Sequence, residues 1–154
     1  MSAPLTHTYD GKPVAQDPPQ GATVIVHRRG AQGLELLILR RAHTGPASDA
    51  PLIPSRDDVG DWTWTPPAGC RLPSEPVGLC AQRELLEETG LVLPLRLTAA
   101  GSPHWRVFTA IARPDARVVL DEEHDAYEWV GLDEALRRCR PLLVADQIRV
   151  AMTP

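Results

Sequence analysis

The stretch from Gly69 to Leu91, GCRLPSEPVGLCAQRELLEETGL, fixes one helix and the chemistry of its two faces before any other part of the chain is read. Ser74 is a candidate N-cap, because a hydroxyl there can accept from the first unpaired backbone N–H groups, and Pro76 suits a first turn. From Val77 to Thr89 the residues favour helix, and Gly90 can take the left-handed conformation that ends one. At about 100° per residue, Glu84, Glu87 and Glu88 fall within an arc of roughly 100°, with Leu79, Leu85 and Leu86 around the opposite side. One face is read as carboxylate and the other as core.

An apolar helix face needs a partner layer, and the flanking sequence supplies strands. Ala22 to Arg28 and Leu34 to Arg41 are β-rich runs around the hairpin signal Arg29-Gly30-Ala31-Gln32-Gly33. Trp62 to Thr65 reads as a short aromatic strand entering a tight turn at Pro66-Pro67-Ala68-Gly69. Beyond the helix, Leu93 to Ala100 and His104 to Ala112 read as strands. Val118 to Leu120 reads as the start of another, with Tyr127 to Val130 its continuation or neighbour. Leu132 to Arg140 returns to helical spacing, and Leu142 to Met152 gives a last helix after Pro141. Met1 to Gln20, with its prolines, reads as an arm of little regular structure that could pack as an edge strand, and residues 42–61 as a long loop and candidate lid. The order of elements favours an α/β class: a mixed sheet between helical layers. At 154 residues the chain suits one domain, residues 21–154, behind the 1–20 arm.

A formal charge of −4 provides no basic field for a nucleic acid polymer, so a small nucleotide is the better match to any phosphate chemistry. No apolar run approaches the roughly 18 residues of a membrane span, and the start MSAPLTHTYD lacks a signal peptide's charged and apolar parts, so the expectation is a soluble cytoplasmic protein. Cys70, Cys80 and Cys139 have no CxxC spacing and read as reduced fillers. His7, His27, His43, His104 and His124 form no ligand motif.

Three carboxylates on one helix face repel one another unless cations sit among them. Mg²⁺ or Mn²⁺ prefers oxygen ligands and keeps positions for water and substrate phosphates, which suits such a surface. The hexapeptide Arg83 to Glu88 alone fits a solvated helix face equally well. The fuller pattern Gly69, Glu75, Arg83-Glu84-Leu85, Glu87-Glu88 and Gly90-Leu91 resembles the signature of the Nudix (MutT-like) hydrolases, with each position present. The resemblance implies an α/β/α sandwich and metal-dependent hydrolysis of a diphosphate linkage in a nucleoside diphosphate derivative. It implies that Glu84, Glu87, Glu88 and the Gly69 carbonyl hold Mg²⁺ or Mn²⁺, and that Arg83 orients the glutamates. Where the family usually has Pro-Gly-Gly, this chain has Ala68 before Gly69, a departure in the turn that leaves the signature glycine in place.

Downstream, Leu120-Asp121-Glu122-Glu123-His124-Asp125-Ala126-Tyr127-Glu128-Trp129-Val130 resembles the Glu-His segment followed by an aromatic strand in many members. Glu123 matches the acidic position that can supply an extra ligand or base, Glu122 stays open, and a solvated acidic turn is the plain alternative. Either Glu84 or Glu123 is the expected base. The resemblance favours a nucleoside triphosphate or dinucleoside polyphosphate over ADP-ribose or a nucleotide sugar. Trp105, Phe108 and Tyr127 are candidate stacking platforms for a base, although each taken singly fits the core better, and Arg40, Arg41 and Arg71 are candidate phosphate contacts. Two other readings use the same fold: a silent nucleotide-sensing module, against which the intact glutamates count, and an isomerase of diphosphate esters. Members often form dimers, so a homodimer is an expected assembly.

Overall fold

The computed structural model describes residues 6–7, 11–31, 33–42 and 63–153. The loop expected over 42–61 lies outside them except for Ala42. Strands β1 (Gly21–Gly30) and β2 (Gly33–Arg41) form the expected hairpin, with Gly30 opposite Gly33 and Gly33 at φ 109, a conformation that needs a glycine. The two strands then part. One edge of β1 pairs in parallel with β6 (Trp105–Ile111), while its other edge carries β4 (Ala68–Cys70) beyond the hairpin contact. In the same way β2 pairs with β7 (His124–Val130) on one edge and with β3 (Trp64–Thr65) on the other. Strand β5 (Arg96–Ser102) pairs with β6 at the sheet's far side. The fork between β1 and β2 is thus filled by two short strands, where sequence reading expected one strand and a turn. Pro66 and Pro67 lie between them, because a proline cannot donate to a ladder.

Both faces of the sheet are covered. Alternation along the strands sends Val24, Val26, Leu37, Leu39, Phe108 and Ala110 under helix α1 (Val77–Thr89), where Cys80, Ala81 and Leu85 meet them. It sends Ile25, Leu36, Ile38 and Val107 to the opposite face. There Ala135 and Cys139, on and just after α2 (Leu132–Arg138), close the core with Val144 and Ile148 of α3 (Leu142–Ala151). This is the expected α/β/α sandwich in one domain with a mixed sheet.

Three local expectations are corrected. Ser74 stands at φ 64 and does not cap α1; the residue before the helix is Pro76, with no side-chain cap. The reason lies in a tight turn over 72–75, in which the Glu75 N–H donates to the Leu72 carbonyl and the Leu72 N–H donates to the Glu75 carboxylate. Leu79 and Leu86 are 55% and 51% exposed, because the small Cys80 and Ala81 and the glutamates Glu84 and Glu88 turn inward with Leu85. Val118 to Leu120 forms no strand: Val118 packs in the core beneath α1, and the Val119 N–H donates to the Thr89 carbonyl at the helix end. Gly90 is left-handed at φ 74, as expected, with its N–H donating to the Leu86 carbonyl.

Candidate active site

Strand β4 brings Gly69 against the inward side of α1, and the absence of a side chain there is required: a Cβ on Gly69 would fall on the Glu84 carboxylate. Glu84 and Glu88, one turn apart, are only 8% and 3% exposed. Their carboxyls hydrogen-bond each other, and Glu88 also accepts from the Ala68 N–H at 3.1 Å. Burial, opposed by the Arg83 charge, pushes Glu84 up to about 7. Burial and the neighbouring Glu84 charge push Glu88 well above the carboxylate range, so the pair holds a proton between them. Asp121 and Glu123 face Glu88 closely enough to add to its shift.

Arg83 organises this cluster from the helix flank. Its guanidinium meets Glu75 with two N–H groups (2.8 and 3.0 Å), donates to Glu84 (2.8 Å) and Glu87 (3.3 Å), and reaches the Cys70 carbonyl (3.0 Å). Burial works against ionisation of Glu75, yet the Arg83 bonds hold its pKa below the usual carboxylate range. The planar fork allows this multiple engagement, which a lysine could not reproduce. Glu87 stays exposed, between Arg83 and Lys12.

The buried, mutually bonded Glu84 and Glu88 fit a hard cation: two adjacent acid groups out of water ionise together only if positive charge is supplied. Among the described residues no three carboxylate, thiolate or imidazole groups already stand at coordinating separation, because Glu87 is turned toward Arg83.

The other candidates from the sequence are dispersed. Tyr127 pairs with Leu39 across the sheet, which places it on the α1 face, and it is 42% exposed. Trp105 is 1% exposed, lies over Gly21 and donates its indole N–H to Thr23 at 2.8 Å; Phe108 is a core residue beneath α1. Arg71 is buried and committed to backbone: it donates to the Pro19, Asp17 and Glu75 carbonyls and pairs with the Asp17 carboxylate. Arg40 pairs with Asp125 and approaches the Trp64 ring, on the α2 side of the sheet. Glu122 and Glu123 lie in the turn before β7, where the Ala42 N–H donates to the Glu123 carbonyl.

Sequence reading passed over His124, which is buried and bonded through Nδ1 to Asp121 at 2.8 Å, bracing the turn that carries Glu123. Its place beside two glutamates was the available signal. Lys12, whose ammonium lies 3.7 Å from Glu87, had no local signal, since the arm and the helix are joined only by folding.

The NUDIX domain family model matches residues 17–150. Bis(5'-nucleosyl)-tetraphosphatase (asymmetrical) of Rattus norvegicus is 32% identical, with 64% of this chain and 78% of that protein covered. A C. elegans Ap4A hydrolase binary complex shares the fold with a TM-score of 0.62 at 23% identity, over 84% of this chain and 91% of that one. The NUDIX domain of Shewanella oneidensis NrtR, solved with ADP ribose, does so with a TM-score of 0.60 at 15% identity, over 85% of this chain and 84% of that one. No helix among the described residues is long and apolar enough to cross a membrane. The signature residues gathered around Gly69 and Arg83, the sandwich that holds them and the match across most of the sequence agree: this chain belongs to the Nudix family and is a pyrophosphohydrolase.

Proposed function

We propose that the protein hydrolyses a phosphoanhydride bond in a nucleotide carrying a chain of phosphates, a dinucleoside polyphosphate or nucleoside triphosphate, with Mg²⁺ or Mn²⁺. The observation that carries this reading is the buried Glu84 and Glu88 pair against Gly69, an arrangement that needs a cation to be fully ionised. The 32% identity to a tetraphosphatase supports the polyphosphate class.

Glu84, Glu87 and Glu88, with the Gly69 carbonyl, would hold the metal. A bound divalent ion neutralises phosphate charge, aligns the anhydride with an attacking water and lowers that water's pKa. Arg83 keeps Glu84 in place through its fork, while Glu87, now turned toward Arg83, would have to swing to reach the metal. Glu84 or Glu123 takes the proton of the attacking water. Glu123 enters from the turn braced by His124 and already faces Glu88. Tyr127 offers an exposed ring on the same side of the sheet, available for stacking on a nucleobase.

The test is a panel of nucleoside triphosphates, dinucleoside polyphosphates, ADP-ribose and nucleotide sugars, assayed with Mg²⁺ or Mn²⁺ and repeated with Glu88→Gln, with product masses identifying the bond broken. Metal-dependent cleavage of polyphosphates, reduced at least about 100-fold in the variant, is expected. Full turnover in Glu88→Gln would refute the assignment, and cleavage confined to ADP-ribose or nucleotide sugars would replace the substrate class.

A further inference from the structure

The sheet face away from Glu84 and Glu88 carries a crevice of its own. Alternation places His27 of β1 and Thr109 and Ile111 of β6 on the side that meets α3, with Ile25 and Val107. Arg96 of β5 pairs with Thr109 across the antiparallel ladder and so projects from the same side. Helix α3 ends over this corner of the sheet, and the space between them, about 710 Å³, is lined by these four residues together with Val150 and Met152. Pockets for small organic molecules have volumes of about 300–1,000 Å³.

The polar groups in this crevice are unmatched. Among the described residues, the His27 imidazole, the Thr109 hydroxyl and the Arg96 guanidinium make no hydrogen bond or ion pair, whereas Thr98 and Thr153 beside them are committed to the Val107 and Arg149 carbonyls. Burial, with no carboxylate opposing it, holds His27 below its usual pKa, so near neutral pH the imidazole is uncharged and keeps one N–H to donate. Among the described residues that line the space none is acidic, and Arg96 supplies the single charge. Partly buried polar groups without a protein partner are served by water or by a ligand. The walls are apolar, with Ile111 and Val150 exposed aliphatics. We propose that the crevice is a second binding site, for a small amphipathic carboxylate whose apolar body lies against Ile111, Val150 and Met152 while Arg96, Thr109 and His27 donate to its headgroup. A phosphate monoester carries about two charges at neutral pH, more than one guanidinium offsets, so a monoanion is the better match. The sheet lies between this crevice and the glutamates, and the site does not depend on the hydrolase reading.

The test is heteronuclear NMR of the isotope-labelled full chain, without metal or nucleotide, titrated with decanoate, decyl phosphate and decylamine. Decanoate should shift the amides of residues 95–99, 109–111 and 150–153 saturably, and Arg96→Gln should weaken its binding about tenfold, the loss of one charge-assisted hydrogen bond. Ile111→Asp, which places an acid on the apolar wall, should weaken it at least as much. Both side chains face solvent, so both variants should keep a native spectrum otherwise. Decylamine, with the same tail and the opposite charge, should bind at least about tenfold more weakly than decanoate, and decyl phosphate more weakly as well. Absent or non-saturating shifts, shifts centred on another surface, or equal affinity of the native protein and Arg96→Gln would overturn the proposal. So would decylamine binding as tightly as decanoate, and tighter binding of decyl phosphate would overturn the carboxylate headgroup.

Discussion

Gly69 shows how one missing side chain can hold a site together. The Glu84 carboxylate occupies the space a Cβ would take, so Gly69→Ala must push Glu84 away from Glu88 and Arg83. Turnover should fall about 100-fold or more while the circular dichroism spectrum stays native, because misplacing a reacting group by about 1 Å has that effect. Native turnover in this variant would show that Glu84 can work from elsewhere. Arg83→Lys tests the fork: one ammonium cannot meet Glu75, Glu84, Glu87 and the Cys70 carbonyl together, so kcat should drop about 10- to 100-fold and the thermal midpoint should fall. An unchanged kcat would mean that charge alone suffices. The close set Gly69, Arg83, Glu84 and Glu88 was legible because one helix and one turn fix the spacing. The more distant candidates were less so: nothing in the local sequence distinguishes a buried Trp105 from an exposed Tyr127, or an Arg71 committed to carbonyls from one facing solvent.

The elements followed hydrophobic period and breakers closely where packing agreed with local preference. Strands β1, β2 and β6 and helix α3 lie within a residue or two of their expected bounds, since their alternation or spacing is that of segments with both faces or one stripe buried. Local preference failed where tertiary contacts decided. Burial of Glu84 and Glu88 reverses the simple rule of polar out and apolar in, so α1 exposes Leu79 and Leu86. The run Val118 to Leu120 has strand-forming residues but spends its contacts on α1, with Val118 in the core and the Val119 N–H on Thr89. The end of α1 offers a measurement at this scale. Gly90→Ala places a Cβ at φ 74 and within 3.4 Å of the Val119 Cβ, so urea unfolding should show a loss of about 1 kcal/mol. Unchanged stability would show that the helix end can relax into another cap.

At the scale of the whole molecule, the sandwich stabilises a site that opposes it. Two carboxyls are held out of water between α1 and the sheet, and the metal-free fold retains them by keeping a proton that the unfolded chain would release. The sign follows from linkage. Glu84 has an ordinary pKa of 4.5 in the unfolded chain and about 7 when folded, so between these values the native state binds more protons, and stability falls as pH rises. Glu88 shifts in the same direction and extends the loss to higher pH. A divalent cation held there as proposed would reverse the trend, because it would bind the ionised carboxylates and only the folded chain presents them together. Thermal unfolding in EDTA should therefore give a midpoint that declines from pH 5 to pH 8, set against whatever the remaining groups contribute. Saturating Mg²⁺ should raise the midpoint by more at pH 8 than at pH 5.5, and the difference should shrink in Glu88→Gln, which retains the hydrogen bond without the titrating proton. A Mg²⁺ shift of equal size at both pH values, or one undiminished in the variant, would place the metal away from the Glu84 and Glu88 pair and remove the reason for burying it.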